Sequence, residues 1–175
     1  FGPNNFPFAF GSASGGDFAA AIAAGNPVIA KANSSHPGTT KLVAEAARLA
    51  AVETGMPAGI VQMIYRTSHA IGEQLVADER VGATGYTGSR KAGLALKRAA
   101  DAVGNPIYLE LSSVNPVVYL PHALEEKGDA LAEEFTGSCL MGTGQFCTNP
   151  GLVILLEGEG STRFITDVTE RFEGA

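Results

Sequence analysis

The chain has 175 residues, 45% of them hydrophobic and 17% charged, with a formal net charge of −6. That composition supports a sizeable core and excludes intrinsic disorder over most of the length. The acidic balance, with no basic block, argues against nucleic acid as a partner.

The first residues, Phe1-Gly2-Pro3-Asn4-Asn5-Phe6-Pro7, read as the end of a strand running into a turn. Phe18–Ala24 is Ala-rich and stops at Gly25, a good helix end. Pro27–Ala30 is a short apolar strand ending at Lys31. Thr39–Thr54 carries apolar residues at helical spacing. Ile60–Tyr65 is a β-branched strand, and Ser68 caps a helix through Ala77. Val81–Tyr86 is a weaker strand, Ser89 starts a helix to about Val103, and Ile107–Leu111 is a strand. This alternation predicts an α/β fold: a parallel sheet with helices on both faces and ligands at the carboxyl ends of the strands.

After Leu111 the character shifts. Asn115–Leu120 is a strand, and Leu124–Leu140 a helix whose first turns hold Glu125, Glu126 and Asp129, as the helix dipole favours. A glycine-rich loop from Gly142 to Cys147, the strand Leu152–Leu156 and the helix Ser161–Phe172 follow. The expected division is 1–111 and 112–175. Phe1 is no initiator Met and the other end stops just after a helix, so the chain is expected to be a piece of a larger one.

Two cysteines make no disulfide framework, and Cys139 and Cys147 have the wrong spacing for a zinc clip. The three histidines are scattered, so no metal is expected. No apolar run approaches the roughly 20 residues of a membrane helix, so no membrane partner is expected. No secretory signal opens the chain, which leaves a reducing, cytoplasmic setting.

Several residues have two readings each. Cys147 sits in a glycine-rich turn, where a substrate can approach and backbone N–H groups can face an oxyanion; the alternative is a small buried hydrophobe. Glu110 lies in a strand that would be apolar throughout if central. Buried there it suits a general base; at an edge it is an ordinary hydrated carboxylate. Asn5 is a turn asparagine or an oxyanion donor. Lys31 ends a strand where a cation reaches a ribose or phosphate, or it snorkels at the surface. Thr87-Gly88-Ser89, between strand and helix, offers N–H groups to a pyrophosphate, with Gly88 and Gly93 the sole echo of a dinucleotide fingerprint.

The order of these pieces resembles the aldehyde dehydrogenase superfamily: Asn5 after a proline, Lys31 after an apolar strand, Tyr86-Thr87-Gly88-Ser89, Leu109-Glu110-Leu111, then Gly144-Gln145-Phe146-Cys147. Ser34-Ser35-His36-Pro37-Gly38-Thr39 and Ser113-Val114-Asn115-Pro116-Val117 are similar to the branch that holds the 2-oxoglutarate semialdehyde (2,5-dioxovalerate) dehydrogenases and a bacterial fatty-aldehyde dehydrogenase. The resemblance implies most of a Rossmann-like NAD(P)-binding domain and the start of an α/β catalytic domain. It implies oxidation of an aldehyde to the carboxylate, with hydride passing to NAD or NADP. Cys147 is then the nucleophile, Asn5 and the Cys147 N–H hold the oxyanion, and Glu110 activates the water that hydrolyses the thioester. Lys31 contacts the adenosine ribose, and Gly88, Ser89 and Gly93 lie by the pyrophosphate.

NAD-preferring relatives usually carry a glutamate three residues after that lysine; here it is Ser34, which does not repel a 2′-phosphate, so NADP is slightly favoured. Two departures from the family pattern are Ser112-Ser113 after Glu110, where many relatives have Gly-Gly, and Arg66-Thr67-Ser68-His69 in a loop that is usually glycine-rich. The resemblance places a second glutamate and the oligomerising strand beyond Ala175. It implies a dimer or tetramer for the complete protein, with this piece inactive alone. The competing expectations are a catalytically silent nucleotide-binding fragment and a CoA-acylating aldehyde dehydrogenase.

Overall fold

The computed structural model describes residues 1–8 and 10–175. The chain falls into two compact units, Phe1–Ser112 and Ser113–Ala175.

The first unit runs α1 (Gly16–Ala23), β1 (Val28–Lys31), α2 (Pro37–Glu53), β2 (Val61–Ile64), α3 (His69–Val76), β3 (Thr84–Gly88), α4 (Arg90–Asp101) and β4 (Ile107–Leu111). The alternation and the parallel pairing are those expected. The strands pair two by two, however: β1 with β2, placing Lys31 opposite Ile64, and β3 with β4, placing Thr87 opposite Glu110. The position between the pairs is taken by Phe1–Pro3. Phe1 runs parallel to β3, its N–H donating to the Gly85 carbonyl at 2.8 Å and its carbonyl accepting from the Thr87 N–H at 3.1 Å. On the other side, Asn33 donates to the Gly2 carbonyl at 3.3 Å, and His36 Nε2 lies 3.2 Å from the Pro3 carbonyl oxygen. A three-residue segment thus lies along the edge of β3 and is tied by two side chains to the turn after β1.

Two apolar clusters hold this unit. Ala13, Ala30 and Ala44 pack with Val43 and Met63; Val76, Leu96 and Ala100 pack with Phe1, Tyr86 and Ile107. The small residues of the first cluster let helix and strand backbones approach closely. Caps are placed as the sequence predicts: Ser68 Oγ accepts from the Ile71 N–H, and Ser89 Oγ from the Ala92 N–H. The third strand differs from expectation. It starts at Thr84 and continues through Gly88, because the Val81 N–H closes a turn onto the Asp78 carbonyl at 2.9 Å and is lost to the ladder. Arg80 braces that turn on the Asp78 carboxylate at 2.7 Å and holds the carboxyl well below the usual carboxylate range.

The second unit runs β5 (Pro116–Tyr119), α5 (Pro121–Leu140), a short 3-10 turn (Met141–Gly144), β6 (Leu152–Leu155) and α6 (Glu159–Glu173). β5 and β6 pair in parallel, and α5 packs on α6. The core gathers on Phe164, whose ring lies 4.8 Å from that of Tyr119 and 6.0 Å from that of Phe135, over Leu124 and Ala132. Burying one such ring is worth about 1.5–3 kcal/mol. α5 begins three residues before the expected start, since Pro121 suits a first helical position. Its first turn therefore holds no acidic residue, and Glu125, Glu126 and Asp129 fall beyond the reach of the helix dipole that was expected to favour them. Among the described residues no helix is long and apolar enough to cross a membrane.

Candidate active site

Parallel pairing brings the carboxyl ends of the first unit's strands to one side. β1 ends at Lys31, β3 at Gly88, and β4 at Leu111, one residue after Glu110. Phe1–Pro3, parallel to β3, delivers Asn5 to that same end, in a bend and half-buried. The first unit therefore assembles Asn5, Lys31, Ser34, Gly88, Ser89 and Glu110 at one end of its strands. Cys147 is carried by the second unit.

Lys31 is half-buried, and its pKa is lowered, first by that burial and then by the positive charge of Arg66 beyond the end of β2. Ser34 is exposed in a turn closed by the Ser35 N–H on Asn33 Oδ1 at 3.0 Å. Ser34 is exposed and brings no negative charge to the turn after β1, which leaves room there for a phosphate. Ser89 is exposed at the N-cap of α4, with Arg90 and Lys91 exposed in the first turn. Its open N–H groups and two cations fit a pyrophosphate. The residues present thus fit a phosphorylated dinucleotide.

Gly93 is buried inside α4. A Cβ there would strike Leu111 Cδ2 and lie 3.1 Å from Tyr86 Cε1. Its lack of a side chain lets α4 sit close on β3 and β4, a packing role that explains the residue without a ligand.

Glu110 is exposed, on the same face of β4 as Tyr108, which is 70% exposed. Among the described residues β4 is paired on one side alone, with alternate residues half-buried. The burial that the general-base reading of Glu110 supposed is therefore not found in this unit. Asn5 keeps both of its readings.

Cys147 is exposed, whereas Cys139 is half-buried in α5 with its thiol pushed up by burial. The turn that carries Cys147 is tied down from two sides. Asn115 Nδ2 donates to the Cys147 carbonyl at 2.7 Å and to the Asn149 carbonyl at 3.0 Å, and Ser113 Oγ donates to the Cys147 carbonyl at 3.3 Å. Asn149 Nδ2 in turn donates to the carbonyls of Cys139 at 2.9 Å and Gly144 at 3.0 Å. Gly142, Thr143 and Gly144 take φ of 59°, 61° and 72°, a left-handed run that only glycines flanking a single threonine make tolerable. The glycine richness read as access for substrate is thus also a requirement of the turn.

Sequence reading met Asn115 within a branch motif and Arg66 as a departure from a glycine-rich loop, gave neither a role, and did not single out Asn149. Both asparagines precede a proline at the approach to a strand, and that Asn-Pro pair was the available signal.

The aldehyde dehydrogenase family model matches residues 1–174. The chain is 51% identical over 168 residues to alpha-ketoglutaric semialdehyde dehydrogenase 2 of Azospirillum brasilense, covering 95% of this chain and 32% of that protein. It is 43% identical over 168 residues to the alpha-ketoglutaric semialdehyde dehydrogenase of Acinetobacter baylyi, covering 95% and 31%. The fold is that of the glyceraldehyde-3-phosphate dehydrogenase GapN of Methanocaldococcus jannaschii, solved with NADP, at a TM-score of 0.75 and 23% identity over 87% of this chain and 32% of that one. The chain spans about a third of the length of the curated relatives it matches.

Proposed function

The chain belongs to the aldehyde dehydrogenase family, and we propose that the full-length protein oxidises a semialdehyde, of the kind named for its relatives, to the carboxylate through a thioester on Cys147. The observation that carries this reading is the exposed Cys147 in a turn held by four side-chain hydrogen bonds from asparagines, within a chain matched by the family over residues 1–174.

Cys147 Sγ adds to the aldehyde carbon, and the Asn5 amide with the Cys147 N–H stabilises the oxyanion as charge develops. Loss of hydride then leaves a thioester, and Glu110 takes a proton from the water that releases the carboxylate. NAD(P), when bound, supplies the hydride acceptor. Lys31 would hold its adenosine ribose, and Gly88 at the end of β3 with Ser89 at the N-cap of α4 would hold its pyrophosphate, with Gly93 letting that helix approach. Ser34, exposed and uncharged where a glutamate would repel a 2′-phosphate, supports a slight preference for NADP. Two free cysteines fit a cytoplasmic setting, and the family likeness suggests a dimer or tetramer.

The test is NAD(P)H formation by the full-length protein with a panel of semialdehydes. Turnover that disappears in Cys147→Ala is expected, and hydride transfer without acid release in Glu110→Gln. Absence of turnover with every semialdehyde and both cofactors refutes the proposal.

A further inference from the structure

We infer that Asn115 is a positioning residue for Cys147: its amide fixes the backbone of the nucleophile's turn and thereby the direction of the thiol. The inference rests on the reading of Cys147 as nucleophile and adds a residue to it.

Cys147 is exposed, so side-chain packing does little to hold its rotamer. The backbone then decides where Sγ points. Three side-chain hydrogen bonds reach that turn from one short segment. Asn115 Nδ2 spans the carbonyls of Cys147 and Asn149, at 2.7 and 3.0 Å, and Ser113 Oγ reaches the Cys147 carbonyl at 3.3 Å. Gly151 N–H closes the same contact in reverse, donating to the Val114 carbonyl at 2.8 Å. A Cβ on Gly151 would lie 2.6 Å from that oxygen, so the two segments approach as closely as backbones allow. Anchoring the Cys147 carbonyl fixes ψ of the cysteine. Asn115 itself holds φ of 51°, a left-handed conformation that costs a non-glycine residue free energy and is retained when the side chain is needed. Glycine would meet that φ without strain; it would lack the amide.

Asn115→Gly is therefore the informative variant, since it removes the donor and keeps the backbone. Turnover of the full-length protein is measured per cofactor-binding site, so that a lower folded fraction does not count as lower activity. The expected result is kcat per site down by about 10- to 100-fold, with KM for NADP within about twofold and with Asn115→Asp worse than Asn115→Gly, because a carboxylate faces two carbonyl oxygens. Unchanged kcat per site in Asn115→Gly, with Cys147→Ala inactive, overturns the positioning role alone. Retained activity in Cys147→Ala overturns the nucleophile and the inference with it. Should Asn115→Gly fail to fold, Ser113→Ala withdraws one donor from the same carbonyl: a smaller fall in kcat per site supports the inference, and no fall overturns it.

Discussion

Asn33 donates its side-chain amide to the Gly2 carbonyl at 3.3 Å, across 31 residues of sequence. With His36 at the Pro3 carbonyl, this bond ties the turn after β1 to the segment that leads into Asn5. The turn proposed to bind the cofactor's ribose and the segment proposed to bind the oxyanion are thus one hydrogen-bonded piece. Asn33→Ala removes this bond and the one that closes the turn at Ser35. The bond to Gly2 is partly buried and the one from Ser35 exposed, and a typical intramolecular hydrogen bond is worth about 0.5–1.5 kcal/mol net. The urea midpoint is expected to fall by the equivalent of about 1–2 kcal/mol with an unchanged m-value. No change in midpoint would show that β3 and His36 hold Phe1–Pro3 without Asn33.

Two glycines in helices give opposite expectations for the same substitution. Gly137 lies in α5 with nothing within 4 Å of an added Cβ, so Gly137→Ala stabilises by about 0.5–1 kcal/mol through helix propensity. Gly93 gains the same propensity in α4, but its Cβ would meet Leu111 and the Tyr86 ring. Overpacking costs about 1–3 kcal/mol and outweighs the gain. Thermal unfolding of the two variants should shift in opposite directions, and a Gly93→Ala variant as stable as the parent would contradict the close approach of α4 to β4.

Much of the fold was legible because it rests on local signals. Ser68 and Ser89 are caps that declare where helices start, and Gly25 and Gly55 take φ of 79° and 69° where helices stop. The boundaries that moved did so for reasons that periodicity does not carry. The Val81 N–H went to Asp78 and not to a neighbouring strand, and Pro121 opened α5 early. Glu110 was legible as a residue of interest, whereas its exposure depends on which strands lie beside β4, a non-local fact. The asparagine clamp was hidden for the same reason: Asn115 and Cys147 are 32 residues apart, and nothing near either names the other.

The two cysteines differ enough for selective chemistry. Burial raises the Cys139 thiol above its ordinary value, which keeps it protonated near neutral pH, while Cys147 is exposed. Because the thiolate is the reacting form, iodoacetamide near pH 7.5 is expected to modify Cys147 alone in the folded protein and both residues in denaturant. Peptide mass mapping reads the result. Modification of Cys139 at a comparable rate would mean that α5 opens in the native state.

Cofactor choice tests the charges around Lys31. Ser34→Glu places a carboxylate where the 2′-phosphate of NADP is proposed to sit. At an effective dielectric of about 20, two unit charges roughly 8 Å apart repel by about 2 kcal/mol. The ratio of kcat/KM for NADP over NAD should fall by about 10- to 100-fold in the full-length protein, and Arg66→Gln should lower it in the same direction. The pH dependence follows from Lys31, whose pKa is depressed by burial and by Arg66 below the ordinary 10.5. Its positive charge is therefore lost at lower pH than in a free lysine. The advantage of NADP should therefore shrink as pH rises toward 10, while the bound phosphate, by favouring the charged lysine, moves that loss upward. A ratio that is flat across this range, or that is unmoved by Ser34→Glu, would place the 2′-phosphate away from Lys31.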